Sequence, residues 1–126
     1  MKNITTYINE SNANHTIFNA CMELDNNEDI YKTQYDPLVK NLVKKHKSGD
    51  FNIETLETSS VVSNLATATL KAAKAGSLSK DDRKRLYKFI TGNLLKSISN
   101  EGEDLTKEEE DYMIEWDYNN SDKCGW

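Results

Sequence analysis

The stretch from Phe51 to Ala75, FNIETLETSSVVSNLATATLKAAKA, constrains the fold more than any other part of the chain. On a helix that turns by about 100° per residue, its apolar and small side chains cover roughly half of the circumference. These side chains are Val61, Val62, Leu65, Ala66, Ala68, Thr69, Leu70, Ala72 and Ala73. A helix with so wide an apolar arc contacts neighbours on two sides, and small residues let their backbones approach closely. The stretch therefore predicts the central helix, near residues 55–75, of a small all-α bundle of about four to five helices.

The composition agrees with a helical domain that remains where it is made. A chain of 126 residues has room for an ordinary core, and one proline with five glycines argues against a strand-and-turn architecture. No apolar run approaches the roughly 20 residues of a membrane span, and the N-terminus has no apolar leader region. Cys21 and Cys124 have no CxxC partner, which favours free thiols in a reducing compartment. We therefore expect a cytoplasmic protein with no membrane partner.

The charge is divided unevenly along the chain. Residues 101–126 contain ten acidic residues and two lysines, a net charge of −8. Since the whole chain carries −5, the first hundred residues carry +3. An acidic end of this kind attracts basic surfaces, or it only keeps the protein soluble.

Four further segments have the apolar spacing of helices, at residues 14–24, 37–47, 81–99 and 105–118. Residues 25–36 are predicted to be a polar loop, with Asp36 and Pro37 as the N-cap and first residue of the helix that follows. Gly92 is expected on the polar side of its helix, at a cost of ~1 kcal/mol relative to alanine. Thr106 and Glu109 form a capping box at the start of the last helix, whose acids are expected to point outward.

These segments predict three parts of the chain. Residues 1–13 are an N-terminal peptide that processing could remove, residues 14–100 are a helical domain, and residues 101–126 are an acidic C-terminal helix and tail. The segment after Tyr118 is expected to be disordered.

The sequence contains no motif that predicts catalysis. It has no Gly-rich phosphate loop, HExxH, CxxC or GxSxG. His15 lies in the first turn of a predicted helix, and His46 lies in the apolar stripe of residues 37–47, where a packed histidine bonded to a backbone group or a carboxylate is the ordinary expectation. We predict no catalytic residue and no cofactor.

One segment resembles a calcium loop only in part. Asp25, Asn27 and Asp29 match its first, third and fifth positions. Ile30 stands where the sharp turn needs glycine, and Asp36 stands where a bidentate glutamate is usual. We therefore predict no metal site.

The predicted helix at residues 37–47 carries a cluster of lysines, Lys40, Lys44, Lys45 and Lys47. Nucleic-acid binding sites usually interleave such charges with aromatic residues or arginine. The cluster lacks both, so it is predicted to be a solvated face, and nucleic acid is not an expected partner.

The first eleven residues, MKNITTYINE followed by Ser11, resemble the capsid-targeting peptide of internal head proteins from T-even-type phages. In that family the peptide begins Met-Lys, continues with an aromatic-containing helical turn, and ends with an apolar residue, any residue and glutamate. The resemblance implies cleavage by the prohead protease after Glu10, with Ile8 as the apolar determinant and Ser11 as the new N-terminus. It also implies a protein carried in the phage head and delivered with the DNA. Members of the family are typically basic after cleavage, whereas residues 11–126 keep a net charge of −5 because Lys2 and Glu10 cancel.

Two functions fit these observations. One is a non-enzymatic phage protein, head-packaged and host-directed, that binds a basic protein surface. The residues predicted to bind this partner are Glu108, Glu109, Asp111, Tyr112, Glu115 and Trp116. The other is a cellular helical protein-interaction module with an acidic solubilising tail. In the first, the acids form a rigid strip if Tyr112, Met113 and Trp116 pack on the domain, whereas in the second the tail has no partner.

Overall fold

A computed structural model of the chain describes residues 16–24, 26–75 and 78–123, which form helices and short connections without a strand. In chain order the elements are α1 (residues 16–24), α2 (Glu28–Ile30), the π-helical turn π1 (Tyr31–Tyr35), α3 (Asp36–Ser48), α4 (Ile53–Glu57), α5 (Ser60–Ala72), α6 (Lys80–Asn100) and α7 (Lys107–Lys123). The predicted all-α class is confirmed.

The central helix is α6, and the prediction that it lies near residues 55–75 is wrong. α6 packs against α3, α4, α5 and α7. Its buried large apolar side chains are Leu86, Phe89, Ile90, Leu94, Leu95 and Ile98. α5 buries smaller side chains, and its Val61 is 39% exposed. Alanine and threonine widen an apolar arc but bury little apolar area. A wide arc of such residues therefore does not show that a helix lies at the centre of the core.

The stretch from Phe51 to Ala75 is divided into two helices. Asn52 caps α4 by accepting a hydrogen bond from the Thr55 N–H at 2.9 Å. Ser59 caps α5 by accepting one from the Val62 N–H at 3.4 Å. α5 ends at Ala72, and the next glycine of the chain, Gly76, lies outside the described residues.

The prediction of a loop over residues 25–36 is also wrong for residues 28–36, because α2 and π1 continue directly into α3. The N-cap is Asn27, whose side chain accepts a hydrogen bond from the Ile30 N–H at 3.0 Å, and Asp36 lies inside the helical run. Burial outweighs the polar composition, since Ile30 and Tyr35 are both 5% exposed. The wide π turn lies just before Pro37, a residue that has no N–H to donate and whose ring crowds the preceding turn.

The phenol of Tyr35 fastens π1 to the central helix. Its oxygen accepts a hydrogen bond from the Asn93 side chain at 3.0 Å and lies 2.6 Å from the Ser97 hydroxyl. Tyr31, which stacks on Tyr35, is 48% exposed. The π turn therefore carries one aromatic residue into the core and leaves its neighbour at the surface.

Two helix ends have the residue types that local capping favours. Gly49 ends α3 in the left-handed conformation, with φ 82°, and Ser79 caps α6. α7 continues to Lys123, so the prediction of disorder after Tyr118 is wrong for the backbone of residues 119–123. Between Lys107 and Gly125 the sequence has no glycine or proline that would break the helix.

Replacing Leu65 by aspartate should lower the free energy of unfolding by at least about 3 kcal/mol, because an unpaired charge would enter the core. Leu65 is 2% exposed, whereas its neighbour Asn64 is exposed. Asn64→Asp is the matched control, expected to change stability by less than about 0.5 kcal/mol. Urea denaturation followed by circular dichroism measures both, and equal midpoints for the two variants would contradict the placement of α5.

Candidate functional site

The acidic helix α7 is packed on the domain through Trp116. The indole is 7% exposed, and it belongs to the same buried cluster as Phe89 and Leu94 of α6. Its Nε1–H donates a hydrogen bond to the Phe89 carbonyl oxygen at 3.0 Å, and the Phe89 and Trp116 ring centroids are 5.8 Å apart. A buried indole with a satisfied N–H is a strong anchor.

Gly92 provides the space for this indole. A Cβ atom at position 92 would overlap Cγ and Cδ1 of Trp116. Gly92 is buried, so the prediction that it lies on the polar side of α6 is wrong. The apolar spacing of α6 indicates one buried face, whereas α7 covers a second face. Gly92 has no side chain there, so the indole reaches the backbone of α6.

Other contacts of α7 surround the indole. Lys96 Nζ lies 5.9 Å from the centroid of the Trp116 ring, within the range of a cation–π interaction. The Tyr112 hydroxyl donates to the Lys88 carbonyl oxygen at 3.4 Å, and both Tyr112 and Met113 are half-buried. Tyr112, Met113 and Trp116 therefore pack on the domain, which is the condition stated above for a rigid acidic strip, and they lie on the face of α7 that is turned to α6.

The predicted capping box at the start of α7 is confirmed. The Thr106 hydroxyl accepts a hydrogen bond from the Glu109 N–H at 3.2 Å, and Glu109 Oε1 accepts one from the Thr106 N–H at 3.0 Å. Glu109 is 6% exposed, so the prediction that the acids of this helix point outward is wrong for this residue. The box turns its carboxylate toward α3.

His46 of α3 lies between two carboxylates. Its Nε2 is 2.7 Å from Glu109 Oε1, and its Nδ1 is 2.9 Å from Glu103 Oε1 in the connection between α6 and α7. Burial lowers the pKa of His46, but the hydrogen bonds and negative charges of Glu109 and Glu103 outweigh it and raise the pKa above its usual value. The expectation that His46 bonds a carboxylate is confirmed, and the number of carboxylates is two. With both nitrogens engaged, the ring connects helices rather than presenting a base to a cleft.

A second acidic contact lies between α4 and α7. Burial raises the pKa of Glu57, and the charges of Glu115 and Glu54 add to this, while the charge of Lys88 opposes it. Burial likewise raises the pKa of the Tyr112 phenol, and the charge of Glu57 adds to it. His46 thus attracts the negative charge of Glu109 in α7, whereas Glu57 repels that of Glu115.

The residues predicted to bind a partner fall into two groups. Glu109 and Trp116 are buried and Tyr112 is half-buried, so these three hold α7 in place. The other three, Glu108, Asp111 and Glu115, are exposed, as are Lys107, Glu110, Ile114 and Asp117 on the same helix. Ile114, which is 68% exposed, was missed in the sequence. Its position two residues before Trp116, about 200° around the helix, could have placed it on the opposite face.

The other predicted sites lie elsewhere or outside the described residues. The processing residues Ile8, Glu10 and Ser11 are outside them, as are His15 and Asp25. Lys40, Lys44, Lys45 and Lys47 are all exposed, as predicted.

Neither a metal site nor a membrane span is found in the described part of the chain. No group of three or more His, Cys, Asp or Glu residues there could hold a metal ion. Within the same residues, no helix has the length and apolar character needed to cross a membrane.

Comparisons with protein-family models, curated proteins and solved structures give no significant match.

Gly92→Ala should destabilise the protein by about 1–3 kcal/mol, because the methyl group would displace the indole of Trp116. Helix propensity alone predicts the opposite, a gain of ~1 kcal/mol. The sign of the change in the free energy of unfolding decides between them. In a Trp116→Ala background the overlap is absent, so the same Gly92→Ala change should become stabilising. Destabilisation of equal size in both backgrounds would show that the indole does not lie over Gly92.

Proposed function

We propose that this protein acts without catalysis, by binding a basic protein surface through the outward face of α7. The observation that carries the proposal is the rigid attachment of a strongly acidic helix. Trp116, Glu109 and the half-buried Tyr112 face the domain, so they fix which side chains of α7 face outward. A solubilising tail has no need of such contacts.

The outward face of α7 has the chemistry of a binding surface for a cationic partner. The acids Glu108, Asp111 and Glu115 are exposed on successive turns, and the exposed Ile114 lies beside Asp111, three residues further along the helix. Successive helical turns are about 5.4 Å apart, so carboxylates held on them can imitate a row of phosphates. Basic protein sites that normally bind nucleic-acid phosphates are therefore the class of partner that this face fits.

Charge and apolar contact have different roles in this proposal. The acids should speed the encounter with a basic surface, and this effect weakens as salt shortens the Debye length toward ~8 Å at physiological ionic strength. Ile114 supplies apolar area that a partner can bury. A partner surface with lysines or arginines around an apolar depression would use both.

We extend the proposal to head-packaged cargo of a phage, directed at a host protein. The support is the resemblance of residues 1–11 to a capsid-targeting peptide, together with the phosphate-like spacing of the acids on α7. A protein delivered with DNA could then occupy a host site that otherwise binds nucleic acid.

Neutralising three outward acids of α7 should abolish partner capture without unfolding the protein. The variant is Asp111→Asn, Glu115→Gln and Asp117→Asn, which leaves the first turn and its capping box intact. The matched control is Glu28→Gln, Asp29→Asn and Asp81→Asn, which removes the same charge from exposed acids elsewhere. Pull-downs from host lysate are compared for both variants and the parent, with heparin as a competitor. The partner should be captured by the parent and the control, and heparin or added salt should release it.

Equal recovery of the same proteins by the parent and the α7 variant would contradict the proposal. Ile114→Ala should weaken capture by roughly tenfold or less while leaving the melting temperature unchanged, because a largely exposed side chain contributes little to folding. Circular dichroism of each variant checks that loss of capture is not loss of structure.

Expression in its native setting should yield a chain that lacks residues 1–10. Cleavage after Glu10 would leave Ser11 at the N-terminus, and Glu10→Ala should prevent it by removing the residue after which the chain is cut. Intact-mass measurement of both proteins tests this. A parent chain that retains Met1 through Glu10 in assembled particles would rule out processed head cargo, while leaving partner binding by α7 as a separate question.

A further inference from the structure

Three titratable side chains join three separate segments of the chain. His46 lies in the last turns of α3, Glu103 lies in the connection that precedes α7, and Glu109 lies in the first turn of α7. Their side chains are 9%, 15% and 7% exposed. Each nitrogen of the ring faces a different carboxylate, at 2.9 Å for Glu103 and 2.7 Å for Glu109.

Only the protonated ring can satisfy both carboxylates. An imidazolium has an N–H at each nitrogen and can donate to Glu103 and Glu109 together. A neutral ring has one N–H, so the second carboxylate would face a nitrogen lone pair at hydrogen-bond distance. It would also leave two negative charges in a nearly buried site with no positive charge between them.

We propose that His46, Glu103 and Glu109 form a proton-controlled latch that holds α7 against the domain. The proton on His46 fastens the start of α7 to α3, and its loss loosens α7. The latch itself depends on none of the binding activity proposed above; its effect on partner binding rests on that function, because a loosened α7 no longer presents its acids as a fixed strip.

The surroundings leave the two carboxylates in control of the ring. Lys45 and Lys47 flank His46 on α3 but are exposed. The ring of Phe51, with its centroid 5.4 Å from that of His46, is uncharged. Among the described residues, the charges that act on His46 are those of Glu109 and Glu103.

The direction of the pH effect follows from the raised pKa of His46. The stabilisation is fully present below pH 6.5, the usual pKa, and is lost as the pH rises through the raised pKa. For each pH unit by which docking raises this pKa, the equilibrium constant for docking changes about tenfold across the window.

Glu57, which faces Glu115 across α4 and α7, contributes in the same direction at lower pH. Its pKa is also raised, so its stabilisation is lost as the pH rises through a value above 4.5. Glu57→Gln removes this contribution, and it should leave the loosening between about pH 6 and about pH 8.5 in place.

Amide hydrogen exchange of the full-length chain tests the latch. Exchange rates at Tyr112 to Trp116, corrected for the intrinsic effect of pH, give the equilibrium constant for opening α7, with amides of α6 as the reference. We expect opening to increase several-fold to tenfold or more from about pH 6 to about pH 8.5. His46→Gln should remove this increase. The matched control, His15→Gln, replaces the other histidine of the chain and should retain it.

A second measurement keeps the test independent of whether His46→Gln folds. The imidazole resonances of the parent give the pKa of His46 directly, and it should lie above 6.5. Glu109→Gln retains a residue suited to the capping box but removes the charge, so it should lower this pKa. Opening of α7 that is the same at both pH values, or a His46 pKa at or below 6.5, would overturn the latch. Neither result would touch the pull-down that tests partner binding.

Discussion

The contact on which the acidic end of this protein depends is the indole of Trp116 lying against bare backbone at Gly92. Without it, α7 would be a charged helix with a narrow apolar face, and a helix of this kind is marginal in water by itself. Because Gly92 has no side chain, the indole of Trp116 reaches both the carbonyl oxygen and the ring of Phe89. The glycine therefore weakens α6 locally by ~1 kcal/mol and permits a buried contact that outweighs this cost.

The electrostatics of α7 act against its attachment as well as for it. Residues 101–126, which include α7, carry a net charge of −8. Within them, Glu115 lies near the half-buried Glu57 of α4. An exposed pair of like charges costs little, but burial makes this one more expensive. At the other end of the contact, the protonated ring of His46 opposes the repulsion, since it places one positive charge between two carboxylates. The burial of Trp116 thus holds α7 on the domain. Attraction to His46 stabilises its first turn, and repulsion between Glu57 and Glu115 destabilises the contact with α4.

The all-α class, most of the helices and several caps could be predicted from the sequence, because capping and hydrophobic spacing are local. Thr106 with Glu109 and Ser79 with Asp82 are examples in which the residues that interact are three positions apart. The central role of α6 could not be predicted in the same way. Hydrophobic spacing shows which residues share a face, but not how many other helices cover that helix. Gly92 lies among polar positions in this spacing, and only the contact with α7 buries it.

The candidate site could be predicted only in its components. His46 was expected to bond a carboxylate, yet nothing local identifies Glu103 and Glu109, which lie more than fifty positions further along the chain. The prediction of a loop at residues 25–36 failed for a related reason. Most residues of this segment are polar, and only Ile30 and Tyr35 are buried among those described. Long-range contacts decided both cases, and a single sequence does not contain a local pattern for them.

One oxygen atom connects the start of α7 to the proton on His46. Oε1 of Glu109 accepts the Thr106 N–H that completes the capping box, and it also lies 2.7 Å from Nε2 of His46. A capping interaction is worth about 1 kcal/mol and decides where a helix begins. Because both interactions use the same oxygen, a change in the charge of His46 acts on the first turn of α7 and not on a distant surface. The first turn of the acidic helix α7 is therefore bonded directly to His46, the histidine within the described residues.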